Sequence, residues 1–375
     1  TRERALRRAL QQHRVTFGME RSEARQEFAR NACLADPRLA GLHPLKRPET
    51  ALPLCVVAPG TTSEVQEIVR LANEEKIPIV PFGGGSGLMG GALSIRPNIL
   101  LDLRGMNRVI EIDTAARLAR VQAGIVLEAM EKKLNEAGFI LGHDPWTLPV
   151  ATVGGAISTN SVGYRAGIYG SMGEQVLGRE AGMADGEILR TRGIQKSSAG
   201  IDLNALLIGG EGCFGIITEA TVRIFPAPEA RLLSGFLFES FEQGYAAVQE
   251  LFLQRLRPAL LDLGDDAEKH EAGAVLYLGF EGNRDTVEAD AGRAQSICAQ
   301  RGGNRLPDDE AEDFFRDRHV IARRFMQNRR QRRERGRDGI FRDWIHVALP
   351  ASKVLAFRGA AAAIIERRGV RLQES

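Results

Sequence analysis

A glycine-rich stretch between two apolar runs constrains this chain of 375 residues more than any other feature. Residues 81–88 read PFGGGSGL, and they lie between one apolar run at 77–80 and another at 99–103. Closely spaced glycines allow positive φ angles and leave no side chains in the way. Successive N–H groups can then point inward and bind an anion, typically a phosphate. The stretch predicts a phosphate-binding loop between two strands, and a plain glycine turn is the alternative.

The same stretch spells the dinucleotide fingerprint without the setting that the fingerprint needs. Residues 85–90 read GSGLMG, which matches G-x-G-x-x-G. The fingerprint requires a helix directly after the loop, but Pro97 and the apolar run from Ile99 leave no room for one. Gly91 stands where a P-loop requires Lys. We therefore exclude both a nicotinamide-type Rossmann motif and a P-loop.

Composition argues against several classes of function. A net charge of +2 and an aromatic content of 6% do not favour nucleic-acid binding. The four cysteines (Cys33, Cys55, Cys213 and Cys298) are scattered without a C-x-x-C pair, so we expect neither a disulfide framework nor a metal site. No apolar run reaches membrane-spanning length, and no signal peptide is visible. We expect a cytoplasmic protein without a membrane span.

The apolar pattern divides the chain at 1–50, 51–228 and 229–375. The first part is charged and Arg-rich, and it is predicted to be helical. The second part begins with a strand at 54–57, a helix over 65–72 and a strand at 77–80, a unit whose crossover favours parallel strands. Hairpins at 109–121 and around Asp185-Gly186, a helix over 125–137 and a strand over 216–225 are also predicted. Residues 142–178 are predicted to be one long irregular region.

The third part places strands at 232–238, 260–263 and 275–280 among helices over 241–254 and 287–299. This order predicts a ferredoxin-like α+β substrate or cap domain with an antiparallel sheet. A strand at 344–348 and a helix over 352–367 are predicted next. Because the order implies a further strand, we expect this domain to be incomplete at its C-terminal end. The predicted fold class of the whole chain is α+β.

Three glycine-rich segments stand far apart in the second part, at 83–91, 153–163 and 209–215. One such segment says little, but three at strand ends predict a large, extended ligand that the backbone approaches from several sides. The middle segment adds hydroxyl and amide groups. These groups suit phosphate oxygens or the polar edge of a flat heterocycle.

Several motifs together resemble the FAD-binding domain of the vanillyl-alcohol oxidase / p-cresol methylhydroxylase (PCMH-type) flavoprotein family. They are residues 81–88, His143-Asp144-Pro145, Thr152-Val153-Gly154-Gly155, Ser158-Thr159-Asn160, Tyr169-Gly170 and EGCFGIITE at 211–219. The resemblance covers residues 52–226, with a fainter continuation beyond. It implies FAD as the cofactor, a two-subdomain FAD-binding domain over 51–228 and a cap domain over 229–375.

The resemblance also assigns residues to FAD. The pyrophosphate is assigned to Pro81, Phe82, Gly83, Gly84, Gly85, Ser86 and Gly87. The flavin and its ribityl chain are assigned to Trp146, Thr147, Leu148, Pro149, Val150, Ala151, Thr152, Ser158, Thr159, Asn160 and Ser161, with Gly154 and Gly155 also in the site. The adenosine side is assigned to Glu211, Gly212, Cys213, Phe214, Gly215, Ile216 and Ile217. Covalent members often carry His in the first loop. Because this loop has none, we expect non-covalent FAD.

The resemblance leaves two branches open. The glycolate oxidase / D-lactate dehydrogenase branch transfers a hydride from a 2-hydroxy acid to flavin N5. The alkyl-dihydroxyacetone-phosphate synthase branch exchanges an acyl for an alkyl group without net redox. The second branch uses an Arg where this chain has Asp262, and a carboxylate cannot bind an acidic substrate as Arg does. We favour oxidation of a 2-hydroxy acid or a related alcohol; a flavin-binding subunit without its own activity is the non-enzyme alternative.

The catalytic residues are not identified by the sequence. His143, His319 and His346 are candidate bases, and each could equally be structural. Arg323 or Arg324, beside Phe325, is a candidate partner for a substrate carboxylate, although a solvated basic face explains residues 316–342 as well. We expect a small-molecule substrate and no nucleic-acid partner. The electron acceptor, and whether the chain forms a homodimer, stay open.

Overall fold

The structure is a computed structural model that describes residues 53–87, 90–196, 198, 200–264, 273–324 and 347–369. These residues form two units. Unit 1 comprises 53–163, Gly170–Pro226 and 319–324, and unit 2 comprises Tyr164–Tyr169, Ala227–Arg318 and 347–369. The helical segment predicted over 1–50 lies outside the described residues.

Unit 1 begins with the predicted strand–helix–strand motif. Strand β1 (Cys55–Val57) leads into helix α1 (Thr62–Glu74) and strand β2 (Ile79–Phe82), and strand β3 (Ile99–Asp102) follows. A capping box of Thr61 and Glu64 starts α1. The sheet order is β1-β3-β2 with both pairs parallel, so β3 separates the two predicted strands. The glycine loop therefore leaves the carboxyl end of an edge strand, where Pro81 is tolerated.

The rest of unit 1 is built on an antiparallel sheet of order β4-β5-β9-β7-β8. Its strands are β4 (Val109–Asp113), β5 (Leu118–Gln122), β7 (Val176–Met183), β8 (Ile188–Arg190) and β9 (Gly215–Arg223), while β6 (Phe139–Ile140) pairs separately with β10 (Phe225–Pro226). The helices are α2 (Leu127–Glu136), α3 (Val153–Ser158), α5 (Met172–Gln175) and α6 (Leu203–Leu207), whereas α4 (Ala166–Tyr169) belongs to unit 2. Both predicted hairpins are confirmed.

The prediction of one long irregular region over 142–178 is wrong. This region holds α3, α4 and α5, and β7 already begins at Val176. Glycine is unfavourable inside a helix, so the glycine-containing sequence of α3 did not suggest one. Two contacts stabilise it instead: Thr152 accepts a hydrogen bond from the Gly155 N–H at 3.3 Å, and the Gly154 N–H donates to the Ala123 carbonyl at 2.7 Å.

Helix α1 ties the two sheets of unit 1 together. Thr62 donates to the Glu180 carboxylate at 2.5 Å, and Gln66 donates to the Gly186 carbonyl at 2.6 Å. Glu180 lies on β7, is 13% exposed, and also accepts from Arg190 and Thr218. One carboxylate therefore holds the start of α1, β8 and β9 at the same place.

Replacing Glu180 by Ala is expected to lower the free energy of unfolding by about 1–3 kcal/mol, because three donors lose their acceptor. Chemical denaturation of the two proteins measures this difference. Glu187→Ala is the matched control on the same hairpin, since the Glu187 side chain is 74% exposed and forms an ion pair with the exposed Arg70 at 3.4 Å. That control should change stability by less than about 0.5 kcal/mol. Equal losses in both variants would contradict the clamp role of Glu180.

Unit 2 has an antiparallel sheet with helices on both faces. Its strands are β11 (Ala230–Phe238), β12 (Leu260–Gly264), β13 (Ala274–Gly282) and β14 (Asn304–Arg305), in the order β12-β13-β11-β14. Its further helices are α7 (Phe241–Leu253), α8 (Arg284–Gln300), α9 (Asp308–Asp317) and α10 (Val354–Arg367). Helices α7 and α8 cover one face, and α9 covers the other. The α+β fold class with an antiparallel sheet is confirmed.

One strand prediction in this unit is wrong where it can be checked. Val347 and Ala348, the end of the strand predicted over 344–348, carry no β structure, and Pro350 starts the turn that leads into α10. The predicted helix over 352–367 is confirmed as α10. Residues 344–346 lie outside the described residues.

Candidate cofactor-binding site

The first glycine segment of unit 1 lies directly against the residues that precede the second segment. A Cβ atom added to Gly84 would lie 2.1 Å from the Val150 carbonyl oxygen. A Cβ atom added to Gly83 would lie 2.3 Å from the Thr152 hydroxyl oxygen. Neither position has room for any side chain, so this contact requires glycine. The loop after β2 is thereby pressed against the segment that leads into α3.

The third glycine segment closes the arrangement. The Gly209 N–H donates to the Ile157 carbonyl at 3.1 Å, and the Glu211 N–H donates to the Ser158 carbonyl at 3.0 Å. Gly212 has a φ of +83°, and a Cβ atom there would lie 2.8 Å from a ring carbon of Pro81. Each of the three segments therefore contacts the other two. We call this arrangement the glycine cradle, made of residues 81–87, 90–91, 150–161 and 209–215.

The cradle has the chemistry that a phosphate-bearing ligand needs. The N–H groups of residues 83–87 donate no hydrogen bond to any described residue, although each residue of the preceding strand β2 pairs with β3. Gly85 has a φ of +61°, which turns successive N–H groups toward a common side. The residues present therefore fit a dinucleotide whose diphosphate binds to backbone amides.

The predicted cofactor residues fall into two groups by exposure. The first group has side chains in the hydrophobic cores or in a helix cap, so only its backbone can reach a ligand: Phe82, Leu148, Ala151, Thr152, Ile216 and Ile217. The second group is partly or largely exposed: Ser86, Trp146, Thr147, Pro149, Val150, Ser158, Thr159, Asn160, Ser161, Glu211, Cys213 and Phe214. The assignment of each residue to a part of FAD stays a prediction.

His143 contacts the middle glycine segment, a link that the sequence did not indicate. Its Nε2 lies 2.8 Å from the Ser161 hydroxyl oxygen. Its Nδ1 is buried without a hydrogen-bond partner among the described residues. Burial lowers the pKa of His143 to about 4, although the nearby Asp144 carboxylate acts in the opposite direction. His143 is therefore a neutral imidazole near neutral pH.

His319 is the second candidate base that unit 1 contains. Its Nε2 lies 2.8 Å from an Asp144 carboxylate oxygen, and both side chains are buried. Two consecutive residues therefore each contact a predicted site residue. His143 contacts Ser161, and Asp144 contacts His319. The third candidate, His346, lies outside the described residues.

The arginine candidates differ in what they meet. Arg323 forms an ion pair with Glu128 of α2, which occupies part of its guanidinium. Arg324 is exposed, and Phe325 lies outside the described residues.

In unit 2, Asp262 lies on β12 opposite Tyr277, and burial raises the pKa of its carboxyl group to about 6. No described helix is long and apolar enough to cross a membrane.

Gly84→Ala is expected to destabilise the cradle strongly, because its Cβ would overlap a backbone carbonyl that cannot rotate away. We expect a loss of about 3 kcal/mol or more in the free energy of unfolding, measured by denaturant titration. Gly87→Ala is the control in the same loop, since a Cβ there meets nothing within 4 Å and its φ is not positive. Similar losses at the two positions would argue against the backbone contact.

The buried imidazole of His143 is expected to make the free energy of unfolding depend on pH. Its pKa in the fold is about 4, against an ordinary value of 6.5, so the unfolded chain binds a proton in that window while the folded chain does not. Stability should therefore fall from pH 6.5 to pH 4 by up to about 3 kcal/mol from this group alone. His143→Gln should show a smaller loss over the same window in denaturation curves. Identical pH profiles for both proteins would contradict the buried neutral imidazole.

Two family profiles match the chain. One, described as "FAD binding domain", matches residues 53–192, and the other, "FAD linked oxidases, C-terminal domain", matches residues 227–373. The chain is 34% identical over 261 residues to the glycolate oxidase subunit GlcD of Bacillus subtilis (66% of this chain, 56% of the relative). It is 35% identical over 269 residues to D-lactate dehydrogenase of Archaeoglobus fulgidus (68% and 60%). The chain thus spans little more than half the length of these relatives.

Solved structures show the same fold. An alkyldihydroxyacetonephosphate synthase matches with a TM-score of 0.66 and 26% identity, over 72% of this chain and 55% of that one. Substrate-bound p-cresol methylhydroxylase matches with a TM-score of 0.68 over 83% of this chain and 66% of that one. At 19% identity, the second match shows the fold alone.

Proposed function

We propose that this chain, which belongs to the FAD-linked oxidases with a PCMH-type FAD-binding domain, binds FAD non-covalently and oxidises the CH–OH group of a 2-hydroxy acid or a related alcohol. The observation that carries the proposal is the glycine cradle, in which three distant segments close on one another. The names of the GlcD and D-lactate dehydrogenase relatives support the substrate class. The chain covers only part of the length of these relatives, so its activity is a proposal and is not taken over from theirs.

Different residues of the cradle would bind different parts of FAD. The unpaired N–H groups of 83–87 would hold the diphosphate, and the exposed Ser158, Thr159 and Asn160 would hydrogen-bond the polar groups next to it. No histidine stands in residues 81–88, so that loop offers no imidazole for a covalent link. These features support reversible binding of FAD.

Oxidation of an alcohol also needs a group that accepts the hydroxyl proton. Bound FAD would supply the acceptor for the hydride. Of the two described histidines, His319 suits the proton better, since the contact with the Asp144 carboxylate orients its ring. His143, with a pKa of about 4, is too weak a base near neutral pH.

The decisive measurement is the absorbance spectrum of the purified full chain. We expect the bands of oxidised flavin, released when the protein is denatured, and bleached under anaerobic conditions by one member of a panel of D- and L-2-hydroxy acids and alcohols. Gly84→Ala should lose the bands while Gly87→Ala stays folded. A colourless protein with no affinity for added FAD would overturn the proposal. Flavin that stays attached after denaturation would contradict the non-covalent link.

A second candidate is alkyl-for-acyl exchange, as in alkyldihydroxyacetonephosphate synthase. The segment Gly142-His143-Asp144-Pro145 and the match to a solved synthase favour it. Asp262 argues against it, because the resemblance places an Arg of the synthase branch at this position, and a carboxylate cannot bind an acidic substrate as Arg does. Flavin-loaded protein that no hydroxy acid or alcohol bleaches, yet that exchanges the acyl group of an acyl-dihydroxyacetone phosphate, would select this function. Neither reaction would indicate a flavin-binding subunit.

A further inference from the structure

A short loop joins the glycine cradle to unit 2. We call residues 162–171 the strap. Its two ends are tied together in unit 1: the Met172 N–H donates to the Ser161 carbonyl at 2.9 Å, and the Gly173 N–H donates to the Asn160 side-chain oxygen at 3.0 Å. Two of the four residues at the base of the strap, Asn160 and Ser161, are therefore ones that the family resemblance assigns to the cofactor.

The middle of the strap belongs to unit 2, where two of its residues meet one buried carboxylate. Glu281 of β13 has a side chain that is 1% exposed. It accepts a hydrogen bond from the Tyr169 hydroxyl at 3.1 Å and lies 3.4 Å from the Arg165 guanidinium. Arg231 of β11 donates two further hydrogen bonds to it, at 2.7 and 2.9 Å. These four residues are named the Glu281 cluster.

Because Glu281 is buried, its carboxylate needs all of its partners in place. A carboxylate this deep must be matched by donors, since an unmatched buried charge is strongly unfavourable. Two of its partners come from the strap: Tyr169 donates a hydrogen bond, and Arg165, itself buried, forms an ion pair. Burial and the Glu281 charge raise the pKa of the Tyr169 hydroxyl, so it remains a donor throughout the physiological range. The strap is thus held at both sides of α4.

We propose that the Glu281 cluster positions the cofactor-lining residues Asn160 and Ser161 through the strap. The argument is covalent continuity: residues 160–173 run from the cradle to the cluster and back. Fixing the strap removes the conformational freedom that the base hydrogen bonds would otherwise have to overcome. Ser161 in turn holds His143, so the effect extends to that imidazole. Only the identity of the ligand rests on the proposed function.

The first test is the affinity of the FAD-free full chain for FAD, measured by flavin fluorescence at a temperature where every variant is folded. Tyr169→Phe and Glu281→Gln are each expected to weaken binding about tenfold. Glu250→Gln is the matched control, since it removes an ion pair with Arg301 elsewhere in unit 2. It should leave the affinity unchanged. A cluster that only stabilises unit 2 would lower the melting temperature without changing FAD affinity, and that result would overturn the proposal.

The second test does not depend on FAD. Hydrogen exchange at the Met172 and Gly173 amides, the donors at the base of the strap, should be about tenfold faster in Tyr169→Phe than in the wild-type chain or Glu250→Gln. Unchanged exchange would overturn the proposal. Tyr169→Phe keeps every charge of the cluster, so it decides the matter if Glu281→Gln does not fold. If the wild-type chain binds no FAD, the proposed function fails, while the exchange result still decides whether the cluster positions Asn160 and Ser161.

Discussion

The close approach of bare backbone at Gly84 and Val150 is the contact on which the proposed site depends. It brings the loop after β2 against the segment before α3, and no side chain fits between them. Once this contact forms, the third segment can close the cradle through the hydrogen bonds of Gly209 and Glu211. The N–H groups of 83–87 donate no hydrogen bond to any described residue and are therefore available to a ligand. An anion site of this kind costs little reorganisation on binding, because the protein has already fixed the donors.

Each unit contains a shielded carboxylate that joins separate segments of the chain. Glu180 joins α1 to the antiparallel sheet of unit 1, and Glu281 joins the strap to the sheet of unit 2. Each gathers donors from segments that are far apart in sequence, and each is mostly shielded from water. Since a shielded carboxylate is stable only when its donors are in place, such groups specify one arrangement of the chain more sharply than apolar contacts do.

Local patterns were sufficient for much of the fold. The β1–α1–β2 unit, both hairpins of unit 1 and the helices α7, α8 and α10 of unit 2 follow from hydrophobic periodicity and from turn and cap residues, and all are confirmed. The same is true of the FAD-binding family, whose motifs depend on glycine positions. Periodicity failed over 142–178 because α3, α4 and α5 are too short to show it and contain glycine, so their stability comes from partners elsewhere in the chain. The residue assignments within the FAD site remain predictions.

The sequence by itself determined the class of fold, the three glycine segments and the kind of ligand they suit, since these depend on residue types and on spacing along the chain. The tertiary structure decided which groups meet. The pairing of Ser161 with His143, that of Asp144 with His319, and the fixing of the strap by Glu281 join residues between 18 and 175 positions apart. No local pattern records such pairs, because they arise only when separate elements pack and bring their polar groups together away from water.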